Sequence, residues 1–234
     1  MRLDIIVQCI GDEYIKRFCW MLSSIIWQDK HNLDIHIHVA NTKEDKLIKT
    51  VKMFKEFLKI DAHFYDIESC KDRAYIRRDI SNKSNADYIL FGDCDMVYSP
   101  LFFNKLGLLL QNETDTRCIG TNRYSLDIDY CVDFFHRHSV LKYPRVIDNP
   151  TDIVSGFPIK STKNHIKGVG FFQLVNRQAL VKIGGYPLTR NGDRLSRTPS
   201  DVKLRKKLSP TGNGRDVKVY NLPIQYHLNH HRNF

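Results

Sequence analysis

The chain has no apolar run approaching the about 18 uninterrupted residues that a membrane-spanning helix needs. It also has no CxxC pair: its six cysteines (Cys9, Cys19, Cys70, Cys94, Cys118, Cys131) are scattered, most of them inside apolar runs. That spacing argues against a cysteine-built zinc module and for reduced, buried thiols. The opening MRLDIIVQCIGDEY holds only a short apolar stretch with an acid inside it. It is expected to form a core strand rather than a signal peptide, which implies a soluble, cytoplasmic protein. Internal repeats and low-complexity tracts are absent.

What is present fits one domain. A length of 234 residues allows a sizeable core, whereas two full domains would be cramped. Residues 3–9 read as a strand, and the apolar positions of 13–27 (Ile15, Phe18, Cys19, Leu22, Ile25, Ile26) recur at helical spacing. The stretch LDIHIHVA (33–40) alternates as a second strand, and Leu47, Ile48, Val51, Phe54 and Leu58 mark another helix. A third strand is expected at 62–67, a polar helix at 71–84 and a fourth strand at 88–92. Strand and helix alternating in this way predict an α/β fold with a mostly parallel central sheet and helices on both faces. Further along, 168–176 reads as a strand, 177–183 as a short helix ended by Gly184 and Gly185, 189–200 as a mobile polar loop, 200–208 as a basic helix and 217–227 as an extended segment.

The fourth strand runs into two acids in YILFGDCDMVYSP (88–100). Asp93 and Asp95 sit at the carboxyl end of a strand, where ligands of parallel sheets collect. Two carboxylates there cost desolvation unless a cation or hydrogen-bond donors compensate them, and a divalent metal would do so. The plainer alternative makes one of them a helix cap near Pro100 and leaves the other solvated.

Two chemistries place Asp-x-Asp after a strand. A phosphatase of the haloacid-dehalogenase type would use the first acid as nucleophile, but it expects the motif on the first strand and an adjacent acid pair later. Here three strands precede the motif, and no two acidic residues are adjacent after it. The other chemistry holds Mg2+ or Mn2+ against the diphosphate of a nucleotide sugar.

Four ordered segments resemble the GT-A fold nucleotide-sugar glycosyltransferases, in a family-2-like form with a DxD motif. CIGDEYIKRFCWMLSSIIWQ (9–28) is similar to their opening strand, loop and helix, and DRAYIRRDISNKSNADYILFGDCD (72–95) to the segment that ends in DxD. GVGFFQLVNRQALVKIGGYP (168–187) resembles their GG-containing stretch, and SDVKLRKKL (200–208) their EDxDLxxRL helix. The resemblance implies a Rossmann-like GT-A domain over 1–234, with a nucleotide-sugar-binding half at 1–98 and an acceptor half at 99–234 carrying the basic loop. It also implies a hexosyl or related transferase that uses Mn2+ or Mg2+ and a nucleoside-diphosphate sugar, a UDP-sugar first.

Residue by residue, the resemblance makes Asp95 the direct metal ligand and lets Asp93 share the metal or bond the ribose. Arg73 and Arg77 fall at donor-facing basic positions, for which a solvated helix face is the plainer alternative. Asp66, expected to end the third strand, could read the nucleobase. Asp201 occupies the place of the general base, although Ser200 stands where the family has an acid and the basic neighbours could make Asp201 a salt-bridged helix start. His227 would complete the metal site, with His230 in reserve. The second strand ends HVANTKED without the usual acid pair, and CIG replaces a Pro-containing first loop.

The formal charge of +10 is concentrated. Lys160 to Lys218 carries 14 Lys and Arg against three acids, Asp193, Asp201 and Asp216. A donor diphosphate needs few of these charges, so the surplus predicts an anionic acceptor. Absence of a long amphipathic helix with Trp anchors favours DNA carrying a hydroxymethylated base over a lipid-linked or saccharide acceptor at an anionic membrane surface. A sheet that had lost its chemistry and become a binding module is a third class, and the retained aspartates argue against it.

Overall fold

The computed structural model describes residues 1–26, 28–99, 101–112, 118–120, 123–126, 159–161, 172–188, 200–212, 218–219 and 225–228. The elements are β1 (Arg2–Gln8), α1 (Asp12–Ile26), β2 (Asp34–Asn41), α2 (Asp45–Phe54), β3 (Lys59–Phe64), α3 (Ile67–Lys71), α4 (Arg73–Lys83), β4 (Tyr88–Gly92), β5 (Met96–Tyr98) and α5 (Phe102–Asn112). They continue with β6 (Cys118–Gly120), β7 (Arg123–Leu126), β8 (Ile159–Ser161), β9 (Phe172–Asn176), α6 (Arg177–Lys182), α7 (Ser200–Leu208), β10 (Lys218–Val219) and β11 (Gln225–His227).

The expected mostly parallel α/β sheet is observed. Seven strands lie in the order β10-β6-β9-β4-β1-β2-β3. β1 pairs in parallel with β2 and β4, and β2 with β3, while β9 runs antiparallel to both β4 and β6. A four-stranded sheet, β5-β11-β7-β8, stands beside it.

Strand alternation sends successive side chains to opposite faces and so splits the core in two. Leu3, Ile5 and Val7 of β1 pack with Ile35, Ile37 and Val39 of β2 under α1, α2 and α5. Ile6, Ile89, Phe91 and Val175 point the other way, against apolar residues of α3, α4, α6 and α7 such as Ile76, Ile80, Leu180, Leu204 and Leu208. Helices therefore cover both faces. None of the helices among the described residues is long and apolar enough to cross a membrane. Cys9, Cys19, Cys70 and Cys94 are buried free thiols, as expected. Cys131 lies outside the described residues, as does the side chain of Cys118.

Two local expectations need correction. The third strand occupies 59–64 rather than 62–67, because pairing with β2 (His36 with Lys59 through Asn41 with Phe64) decides its register rather than its aromatic content. The polar helix expected at 71–84 is broken at Asp72, whose carboxylate accepts hydrogen bonds from the Ala74 and Tyr75 amides and starts α4 afresh. Within the closing extended segment, the described residues form two short strands in different sheets, β10 and β11. For the strand expected at 168–176, residues 168–171 lie outside the described residues, as do 189–199 of the polar loop.

Candidate functional site

The acids of the DxD motif lie between two strands and not at a helix start. β4 ends at Gly92, Met96 opens β5, and α5 begins only at Phe102. The helix-cap alternative is thereby excluded. Antiparallel pairing of β5 with β11 sets Met96 opposite His227, and the Leu228 amide donates to the Asp95 carbonyl at 2.9 Å. The consequence is a close contact between side chains far apart in sequence: His227 Nε2 lies 3.1 Å from Asp95 Oδ2, and both side chains are largely buried. A buried carboxylate beside an imidazole is an O,N donor pair suited to a divalent ion, while Asp93, two residues away, is engaged by arginines. The negative potential reaches neighbouring phenols. Burial, then Asp93 and Asp95, push the Tyr98 hydroxyl well above its ordinary value, and burial followed by Asp95 raises Tyr14.

Asp93 meets both arginines. Arg73 Nη1 donates to its Oδ1 at 3.2 Å, and Arg77 Nη2 lies 3.7 Å from the same oxygen. Arg73 is half exposed at the first turn of α4, free to meet a ligand as well. Arg77 is not on a solvated face, since its side chain is 4% exposed. A buried guanidinium is tolerable only when its donors are used. Arg77 Nη1 donates to the Tyr186 hydroxyl at 2.9 Å, Nη2 reaches the Gly92 carbonyl at 3.4 Å, and its charge lies 5.6 Å from the Tyr186 ring centre.

This network continues toward Asp201. Tyr186 donates to Gln173 Oε1 at 3.2 Å, and Gln173 Nε2 donates to the Asp201 carbonyl at 3.2 Å. Gln173 is fully buried on β9, opposite Phe91, so an amide spans the apolar sheet between the DxD strand and the start of α7. α7 itself is seated by Leu204 and Leu208 in the core. Gln173 and Tyr186 escaped sequence reasoning. The signal for the first was one amide inside the apolar FFQLV, and for the second its place directly after Gly184 and Gly185. Gly185 has φ +85°, and a Cβ there would sit 2.9 Å from Asn82 Oδ1 of α4, so glycine is required to bring Tyr186 under the sheet.

The unusual first loop and second-strand end lock together. Glu44 Oε1 accepts from the Gly11 amide at 3.0 Å, from Asn41 Nδ2 at 3.0 Å and from Thr42 Oγ1 at 3.2 Å. Gly11 adopts φ +88° to present that amide.

Asp66 is placed differently from expectation. It does not end β3, which stops at Phe64; it caps α3, its carboxylate accepting from the Ser69 amide at 2.8 Å and the Ser69 hydroxyl at 2.7 Å. Those bonds hold its acidity stronger than usual. A nucleobase contact would have to displace Ser69 from it. His230 lies outside the described residues. The structure therefore brings Arg73 and Arg77 to Asp93 and His227 to Asp95, ties the backbone of Asp201 to Arg77 through Gln173 and Tyr186, and commits Asp66 to a helix cap.

The fold is that of nucleotide-sugar glycosyltransferases. The mannosyltransferase PcManGT of Pyrobaculum calidifontis, solved with GDP-Man and Mn2+, matches with TM-score 0.60 at 14% identity, over 99% of this chain and 58% of that one. S. aureus TarS 1-349 matches with TM-score 0.58 at 13% identity over 89% of this chain and 55% of that one. Its complex with UDP-GlcNAc matches with TM-score 0.58 at 11% identity, over 97% and 56%. The chain thus spans little more than half the length of these solved chains. No protein-family model matches the sequence, and no curated protein does.

Proposed function

We propose that the chain is a metal-dependent glycosyltransferase that moves a sugar from a nucleoside-diphosphate sugar, a UDP-sugar first, to an acceptor hydroxyl. The observation that carries this reading is the pairing of Asp95 with His227 beside Asp93, at the strand end where this fold takes its ligands. Asp95 and His227 supply an oxygen and a nitrogen donor for Mn2+ or Mg2+, Asp93 is the further carboxylate to be drawn in, and burial of Asp95 favours an occupant that compensates its charge. When bound, such an ion neutralises charge that develops on the departing diphosphate.

The remaining roles belong to the chain. Arg73, half exposed and already oriented by Asp93, offers guanidinium donors to diphosphate oxygens. Arg77 is too buried to reach substrate and holds Asp93 in position instead. Asp201, at the first turn of α7, is the base that accepts the acceptor hydroxyl's proton, and the Gln173 bond to its carbonyl fixes where α7 begins. Glu44 keeps the loop after β1 tied to the end of β2, a support for the nucleoside end of the donor.

For the acceptor, the support is the charge surplus between Lys160 and Lys218, to which α7 contributes Lys203, Arg205, Lys206 and Lys207. That surplus fits an anionic acceptor, and DNA with a hydroxymethylated base is the form we propose. Such a base would have to be reached in the groove or flipped from the stack.

The test is release of nucleoside diphosphate from a panel of nucleotide sugars with Mn2+, with and without hydroxymethylated DNA at low salt. Release that rises only with modified DNA supports donor and acceptor together. Release indifferent to DNA keeps the transferase and moves the acceptor to a lipid-linked or plain saccharide. Silence with every donor overturns the reading.

A further inference from the structure

The sheet carries a second concentration of ligand-type side chains, away from the DxD site. Register sets Asp4 of β1 opposite His36 of β2, with His38 two residues further along the same face. Asp4 is also level with Ile89, four residues short of Asp93, or roughly 13 Å at the rise of a strand. One donor atom each from Asp4, His36 and His38 lies within 4.8 Å of the other two. Asp4 is fully buried and His38 nearly so.

We propose that Asp4, His36 and His38 form a second cation site that takes a Zn2+-class divalent ion. Two imidazoles and one carboxylate are the donor chemistry of that class, distinct from the carboxylate-rich DxD site. Tetrahedral coordination with bonds of about 2.0–2.2 Å brings donors to roughly 3.4 Å from one another; His38 Nε2 and Asp4 Oδ2 already stand at 3.1 Å, and no pair has to close by more than about 1.4 Å. Side-chain rotation supplies that.

Two observations point to a cation rather than to plain packing. First, each histidine has the outer partner that orients a ligating imidazole. His36 Nε2 lies 3.0 Å from Asp61 Oδ2, which leaves Nδ1 as the donor. His38 Nδ1 lies 3.1 Å from His63 Nε2, leaving Nε2, and that atom is 3.1 Å from Asp4 Oδ2. Second, a cation already reaches in. Arg2 Nε is 2.9 Å from Asp4 Oδ1, and Arg2 Nη2 is 3.0 Å from His36 Nδ1. The guanidinium, one-third exposed, thus satisfies two of the three inferred donor groups and is able to swing outward.

The competing cation makes the test specific. The background is the full chain with Asp95→Asn, His230→Gln and His231→Gln, which removes the DxD carboxylate and the histidine-rich tail as alternative binders. Zn2+ is titrated calorimetrically, and Co2+ by its visible absorption. One equivalent is expected to bind, with tetrahedral Co2+ bands. His36→Gln, at a half-buried position, removes a direct ligand and is expected to weaken it by more than the about tenfold to hundredfold that loss of an outer partner costs, with the circular dichroism unchanged. Arg2→Ala is expected to tighten it, because the ion no longer competes with the guanidinium. Failure of Zn2+ to bind in the background, or affinity indifferent to both Arg2→Ala and His36→Gln, overturns the site and leaves a hydrogen-bonded network closed by Arg2. Should His36→Gln fail to fold, the Arg2→Ala result alone decides.

Discussion

His227 Nε2 stands 3.1 Å from Asp95 Oδ2, held there because β11 pairs with β5 immediately after the DxD turn. The contact joins the end of the chain to its middle and makes the candidate metal site a product of two segments, neither of which holds a complete donor set.

Removing either partner should therefore act on metal affinity before anything else. Asp95→Asn is expected to abolish Mn2+ binding and metal-dependent turnover. His227→Ala should weaken Mn2+ by about tenfold or more, equivalent to roughly 1.4 kcal/mol, while leaving the fold intact. Calorimetric Mn2+ titration measures both. An unchanged Mn2+ affinity in His227→Ala would remove the histidine from the site.

Tyr186 links Arg77 to Gln173 and, through it, to the start of α7. Tyr186→Phe keeps the ring against Phe91, at a 4.7 Å centroid distance, and deletes only the hydroxyl shared by Arg77 and Gln173. Two buried polar groups then lose a partner, a cost of about 1–3 kcal/mol, read as a lower urea midpoint at unchanged slope. Turnover should fall further than this stability loss accounts for, because Arg77 no longer fixes Asp93 and Gln173 no longer fixes the start of α7.

Asp66 supplies the opposite expectation. Loss of its cap in Asp66→Ala should cost about 1 kcal/mol, and the KM for the nucleotide-sugar donor should stay the same. A severalfold rise in KM confined to one nucleobase would restore Asp66 as a base reader.

The pH dependence of stability has an acid limb to which Asp79 contributes. Burial opposes its charge, but Lys83 and the Tyr65 hydroxyl, the latter at 2.7 Å, more than compensate, so its carboxyl titrates below the ordinary range. A depressed folded-state value means stability that is present above about pH 4 and is lost as the pH falls through the lower folded value. Tyr65→Phe should cost about 1 kcal/mol at pH 7. The gap from the parent should narrow as both are acidified, which urea unfolding at pH 7, 4 and 3 would measure. A constant gap across that range would show that the hydroxyl stabilises by packing and not through the carboxylate.

Much of the fold was legible because its signals are local. Alternation in LDIHIHVA and the helical spacing of Ile15, Phe18, Leu22 and Ile25 report burial on one face, and the observed cores use those faces. The placement of Asp93 and Asp95 at the end of β4 follows from the same logic, since an apolar run ending in acids marks where a buried strand meets solvent or a ligand. The strands β5 to β8, β10 and β11 carry two to four residues each and no period to read. β3 was displaced because an edge strand takes its register from its neighbour.

By itself, then, the sequence determined the alternating α/β architecture, the buried thiols and the acids at a strand end, all of which depend on hydrophobic spacing along one segment. Only the tertiary structure decided that Arg77 is buried beneath Asp93, that Asp66 caps a helix, that Gln173 links Tyr186 to Asp201, and that His36 and His38 converge on Asp4. Apart from the Asp66 cap, which Ser69 closes three residues away, each of these depends on strand register and on how a polar group taken out of water finds its partner, and such partners lie far enough along the chain that no local pattern records them.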